Sequence, residues 1–144
     1  METIGLVACG AKKRPDFVAA ELLYISDLFQ KSRQYVRENC DRWFILSSKH
    51  GLLLPQTAID PYEATLKNIP EDRHAAWANS VTEAIRANTR TGDRLIFLAG
   101  RDYHDRIIAE LKPQGYHIEV PMQGLDYDTQ VDWLTKHIAR QTDL

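Results

Sequence analysis

The sequence predicts a mixed α/β domain built on a mostly parallel, four-stranded sheet. Apolar runs of strand length alternate with segments of helical period, the order that successive βα units produce. Three of the four strand-like runs end in a turn with glycine and a polar or basic residue, around Cys9-Gly10, Ser47-Ser48-Lys49-His50-Gly51 and Gly100-Arg101. The length of 144 residues fits one domain, so residues 1–144 are read as a single α/β unit.

The first strand is Thr3 to Ala8, a nearly continuous apolar run of the kind buried on both faces. It empties into the polar loop Cys9-Gly10-Ala11-Lys12-Lys13-Arg14-Pro15. A helix begins after Ser26, a good N-cap followed by Asp27 in the first turn. Leu28, Phe29, Ser32, Tyr35 and Val36 share one face of it at helical spacing. The second strand is Arg42 to Ser47, running into Ser48-Lys49-His50-Gly51. Pro55, Pro61 and Pro70 make the stretch from Gln56 to Pro70 too irregular for a long element, so it reads as an ordered excursion over the sheet edge. A second helix covers about Glu71 to Ala87, with Ala75, Ala78, Val81, Thr82 and Ile85 as its inner stripe. The third strand is Arg94 to Ala99. A third helix runs from Gly100-Arg101-Asp102-Tyr103 to about Leu111. The fourth strand is His117 to Val120, and a last helix starts near Asp126 to Asp128 and carries Val131, Trp133, Leu134 and Ile138.

Composition narrows the classes. Hydrophobic residues make up 44% and charged residues 26%, ordinary values for a soluble globular protein. No segment approaches the ~18 uninterrupted apolar residues of a membrane span, so no membrane partner is expected. The first residues lack a basic region before the apolar run, which argues against a signal peptide and for a cytoplasmic address. Cys9 and Cys40 then read as reduced thiols. A net charge of −2 argues against a broad basic face for duplex DNA but leaves room for a local basic site. The histidines show no metal-ligand spacing, and neither a metal nor a cofactor is expected. Oligomeric state is not legible.

In open parallel sheets, ligands bind at the carboxyl ends of the strands. Cys9-Gly10, Ser48-Lys49 and Gly100-Arg101 are therefore expected to converge on one crevice. Gly10 lets backbone N–H groups approach an anion, and Lys12, Lys13 and Arg14 favour phosphate; the competing reading is a solvated basic turn. Cys9 has two readings: a thiol activated by those cations, and a small buried hydrophobe, which is commoner at a strand end. Lys49 is a candidate phosphate ligand or amine nucleophile, and His50 a candidate proton carrier. Asp60-Pro61-Tyr62 offers a carboxylate for polarising water and a phenol for stacking, or else a proline-fixed turn with Tyr62 closing the core. Arg101, at a helix N-terminus, suits an anion. Tyr24 and Ser26 are further candidates for the crevice, although capping a helix already accounts for Ser26.

These motifs resemble a known group. Leu46-Ser47-Ser48-Lys49-His50-Gly51-Leu52-Leu53-Leu54-Pro55 and Ile59-Asp60-Pro61-Tyr62-Glu63-Ala64-Thr65-Leu66 look like the signature of YaaA-like peroxide-stress proteins. They look still more like that of a small uncharacterised bacterial and phage family related to them. Val7-Ala8-Cys9-Gly10-Ala11-Lys12-Lys13, Ala99-Gly100-Arg101-Asp102-Tyr103 and Pro121-Met122-Gln123-Gly124-Leu125 extend the likeness over almost the whole chain. The group is similar in turn to uracil-DNA-glycosylase-like domains, which implies a three-layer α/β/α sandwich and a site for a nucleobase or nucleotide. The usual glycosylase loops, Gly-Gln-Asp-Pro-Tyr and His-Pro-Ser-Pro, are absent, and Asp60-Pro61-Tyr62 follows the second strand rather than the first.

The expected function is an N-glycosidase-like hydrolase acting on a nucleotide, nucleoside or nucleic-acid base. Asp60 is its expected charge-stabilising carboxylate, with Lys49 and Cys9 as further catalytic candidates. Lys12, Lys49 and Arg101 would hold phosphate, and Tyr24 or Tyr62 would stack on the base. Gly10, Ser48, His50, Gly51, Gly100 and Tyr103 complete the expected binding surface. The alternative is a non-enzymatic nucleotide- or DNA-binding module in a stress or phage-conflict response. A third reading is a redox role for Cys9.

Overall fold

The structure, a computed structural model, describes residues 1–139; the part of the expected domain over 140–144 lies outside them. In chain order the elements are β1 (Thr3–Ala8), β2 (Val18–Ala19), α1 (Ala20–Leu23), α2 (Asp27–Asn39), β3 (Arg42–Ser47), β4 (Gly51–Leu53), β5 (Ala58–Ile59), α3 (Glu71–Asn88), β6 (Arg94–Leu98), α4 (Arg101–Leu111), β7 (His117–Glu119) and α5 (Tyr127–His137). The α/β class is as the alternation of periods requires. The sheet is mostly parallel, but it has five strands in the order β4-β3-β1-β6-β7, which corrects the expected four. The additional strand is β4, which folds back antiparallel on β3 and pairs Gly51 with Ser47. A separate antiparallel ribbon joins β2 to β5. Gln56 to Pro70 is otherwise irregular, as its prolines dictate.

Alternation along the strands divides the core into two clusters, because successive side chains of a strand point to opposite faces. Val7, Ile45 and Ile96 join Phe29 and Val36 of α2 and Leu134 of α5. Leu6, Phe44, Leu95 and Phe97 join Val81 and Ile85 of α3 and Ile107 and Leu111 of α4. Ser26 caps α2, accepting from Phe29 N–H at 3.2 Å. Asp126 caps α5, accepting from Thr129 N–H at 2.9 Å. Among the described residues, no helix is long and apolar enough to cross a membrane.

Strand order fixes where a ligand has room. The chain leaves β1 for β3 on one side, then returns past β1 to β6 on the other. The β1 and β6 carboxyl ends therefore flank a topological switch point, where the connections diverge and open a crevice.

Candidate functional site

A cleft of about 550 Å³ occupies the switch point. Cys9, Gly10 and Lys12 enter it from the end of β1, and Ala99 and Gly100 from the end of β6. Ser26, Asp27 and Ser32 enter from α2, and Tyr127 and Gln130 from α5. Its floor is apolar and buried, built from Phe29, Leu98 and Met122. A smaller cleft of about 320 Å³ adjoins it across Ala99, Gly100, Met122 and Gln130, and is bordered by Arg101 and His104.

Local sequence accounts for the shape. A Cβ at Gly10 would lie 3.1 Å from Ser26 Oγ, so glycine lets the β1 loop pass close to the α2 cap. Gly100 is the N-cap of α4 and supplies no side-chain cap, which leaves the first amides of that helix open at the rim. Such amides, with the helix dipole behind them, favour an anion. Tyr127 is half exposed, and its hydroxyl accepts from Leu28 N–H at 3.4 Å, which ties the mouths of α5 and α2 together.

Behind this cleft lies a hydroxyl network. Ser47 Oγ accepts from both Lys49 N–H (3.2 Å) and His50 N–H (2.9 Å). Both of its lone pairs are then used, so its proton goes to Tyr62 OH at 2.7 Å. Tyr62 OH in turn meets Tyr24 OH at 2.6 Å. Burial pushes the Tyr24 phenol up to about 12. Burial, and then the neighbouring Cys9, raise Tyr62 and Tyr103 further, so all three phenols remain donors at neutral pH. The Cys9 thiol points to Ser48 Oγ at 3.8 Å and meets Tyr103 OH at 3.4 Å. Ser48 Oγ donates to Ala64 carbonyl at 2.9 Å. Trp77 Nε1 donates to the Ser47 carbonyl at 2.9 Å, which buttresses the end of β3.

The structure thus brings Cys9, Ser48 and Tyr103 into contact, and gathers Cys9, Gly10, Lys12 and Gly100 in the main cleft. Tyr24 and Tyr62 are buried against each other, so neither ring presents a free face for stacking. Lys49 and His50 are exposed beside Tyr62, with Lys49 Nζ 5.8 Å and the His50 ring 5.3 Å from its ring centre. Burial, then Lys49, lower the His50 pKa. Gly51 holds φ at 71°, a left-handed turn that glycine enters freely, and it opens β4. Arg101 is exposed and pairs with Asp105 at 3.4 Å. Asp60 is exposed and lies outside both clefts. Four cleft residues carry polar chemistry that the motifs did not single out for a site: Asp27, Ser32, Tyr127 and Gln130. Asp27 and Ser32 read in sequence as an ordinary first-turn acid and a position on an inner stripe, so only tertiary placement distinguishes them.

Residues 4–136 match the model of a family of unknown function, DUF6884. A relative from Bacillus subtilis (strain 168), the uncharacterized protein YfjM, is 37% identical over 65 residues, a stretch covering 41% of this chain and 43% of that protein. The match thus spans less than half of that relative's length. No solved structure matches the chain.

Proposed function

The chain belongs to the DUF6884 family, whose function is unknown, and we propose that it acts on a nucleotide, nucleoside or nucleic-acid base held in the switch-point cleft, as an N-glycosidase-like hydrolase. One observation carries the reading: a single cleft combines an apolar floor with an acidic residue, Asp27, and a basic residue, Lys12, in its lining. A volume of about 550 Å³ falls in the usual small-molecule range of ~300–1,000 Å³. The floor suits a planar base, and Tyr127 offers an accessible ring at the mouth. Lys12 and the uncapped start of α4 suit a phosphate.

Cleaving an N-glycosidic bond breaks the bond from the sugar carbon to the base nitrogen and develops positive charge on the sugar. In this reading Asp27 stabilises that charge and orients a water. The water's hydroxyl ends on the sugar carbon and its proton on the departing base. Asp27 therefore takes the role expected of Asp60.

The same reading takes the fold as a three-layer α/β/α sandwich, supported by the two core clusters and the helices each contains. It also includes kinship with YaaA-like and uracil-DNA-glycosylase-like proteins, supported by the sequence motifs, and a cytoplasmic address, in keeping with two free thiols.

The test is base release, followed by mass spectrometry over nucleotides and modified oligonucleotides. Asp27→Asn is expected to lower the rate by about 10²–10⁴, and Asp60→Asn to leave it near the wild-type value. Absence of released base from every substrate overturns the hydrolase.

A second reading, a non-enzymatic nucleotide- or DNA-binding module in a stress or phage-conflict response, is favoured by the position of Asp27. Its carboxylate is exposed and lies 3.7 Å from Lys31 Nζ, an engaged group rather than a free base. Thermal stabilisation by nucleotide without turnover would select this reading.

A further inference from the structure

We infer that Ser32 and Gln130 read the hydrogen-bonding edge of the base, which sets its orientation in the cleft: base at the α2–α5 floor, phosphate at the Lys12 and Gly100 rim. The inference rests on the reading that this cleft takes a nucleotide.

The two helices run parallel, and their contacts form a ladder. At the cleft mouth Leu28 N–H meets Tyr127 OH at 3.4 Å. Further down, the Tyr35 and Trp133 rings meet at a tilt of 56° with centres 5.3 Å apart. Near the far end, Ala139 N–H donates to Glu38 Oε1 at 2.9 Å. Ser32 precedes Tyr35 by one helical turn, as Gln130 precedes Trp133. Both therefore sit at the same level, above the aromatic plug and below Tyr127.

Each side chain has a polar atom, Ser32 Oγ and Gln130 Oε1, with no hydrogen bond among the described residues. Ser32 is 2% exposed and lies between Phe29 and Val36 on the buried stripe of α2. Its hydroxyl makes no hydrogen bond among the described residues, not even to the carbonyl one turn back that serines often use in helices. The hydroxyl is not sealed in either: the sealed, unpartnered side-chain atoms among the described residues are Thr82 Oγ1 and His104 Nδ1. Ser32 borders the cleft, and the cleft is where its hydroxyl finds a partner. Gln130 is pinned. Its Nε2 donates to Leu125 carbonyl at 2.7 Å, and only the amide nitrogen can do so, so Oε1 is left as an acceptor.

An acceptor beside a hydroxyl in an otherwise apolar floor complements a flat group with an N–H donor next to an acceptor. Every Watson–Crick edge has such a pair, but adenine and cytosine place the donor outside the ring and guanine and uracil within it. A fixed acceptor and hydroxyl therefore favour some bases over others. A sugar phosphate has no N–H donor and no flat edge. Among polar groups in the floor, these two are therefore the specificity determinants, and Lys12 belongs to the phosphate end.

The experiment measures binding of AMP, GMP, CMP, UMP and ribose 5-phosphate to wild type, Ser32→Ala, Gln130→Leu and Lys12→Ala by calorimetry. Circular dichroism checks the fold of each variant. Wild type is expected to bind at least one nucleotide more tightly than ribose 5-phosphate and to rank the four bases. Ser32→Ala and Gln130→Leu should each weaken the preferred nucleotide by about tenfold, narrow the ranking and leave ribose 5-phosphate unchanged. Lys12→Ala should weaken nucleotides and ribose 5-phosphate alike. Nucleotide binding with an unchanged ranking in a folded Ser32→Ala and Gln130→Leu overturns the inference and leaves the proposed function standing. Absence of nucleotide binding to wild type overturns both.

Discussion

Ser47 shows how one side chain sets the order of a region. Its oxygen takes two backbone N–H groups from the turn that follows β3, and its proton passes to Tyr62. Tyr62 is therefore the keystone between the β3 turn and Tyr24, which lies at the end of α1. Its two phenol contacts are buried, so deleting the hydroxyl leaves Tyr24 and Ser47 each short of a partner. Tyr62→Phe is expected to cost about 1–3 kcal/mol, read as a lower urea midpoint with an unchanged slope. Tyr24→Phe should cost less when Tyr62 is already Phe, because the two share one hydrogen bond. The sequence marks Tyr62 as important and leaves open whether it stacks on a ligand or closes the core. Burial favours closure of the core. No local signal separates the two, since a tyrosine after Asp-Pro looks the same in either role.

At the scale of elements, caps decide how well the cleft is framed. Asp126 closes the start of α5, one residue before Tyr127. Thr129's bonds hold its carboxyl below the ordinary aspartate value. Asp126→Ala should fray the first turn of α5 and loosen the Tyr127 contact with α2. Hydrogen exchange would show this as lost protection confined to the first turn of α5. Helices of 11 to 18 residues, α2, α3, α4 and α5, were legible because each repeats its apolar stripe several times and carries a start or stop signal. The strands β1, β3 and β6 were legible as apolar runs. The elements that sequence reasoning missed are short: β2, β5, β4 and α1 span two, two, three and four residues. Nothing periodic fits into so few positions. Their existence depends on partners such as Pro55 and Thr57, whose carbonyls accept from Glu21 and Ala20 N–H.

For the molecule as a whole, the shifted groups predict a plateau of stability bounded on both sides. Burial holds His104 and His50 below the ordinary histidine value. A histidine kept neutral by folding contributes stability above its unfolded pKa of ~6.5 and loses it as pH falls. The carboxyls of Glu71, bonded to Arg106, and of Asp93, bonded to Glu2 N–H, are held down. They add a second loss below about pH 4. On the alkaline side burial raises the Cys40 thiol to about 11 and the Tyr24 phenol to about 12. Groups raised by folding keep their contribution below the unfolded pKa and lose it as pH rises, so decline starts near ~8.5. Tm followed by scanning calorimetry is expected to be level from about pH 6.5 to 8.5 and to fall on either side. A control lacking both shifted histidines, His104→Asn with His50→Asn, should flatten the step between about pH 6.5 and 5. The carboxyl-end site was partly legible at this scale, since β1, β3 and β6 point their ends the same way. Which residues line it was not, because α5 contributes Tyr127 and Gln130 from the far end of the sequence.

The central position of β1 also sets a timetable. On a ribosome the chain emerges from its amino end, and β1 is made first among the strands. Its partner on one side, β3, soon follows, but the other partner is β6, with Thr3 opposite Arg94 and Val7 opposite Leu98. Until those residues are released, a strand apolar on both faces waits with one edge bare. The nascent chain is thus most exposed to mispairing during the synthesis of α3, and the switch-point cleft, walled by β6, is among the last features to form.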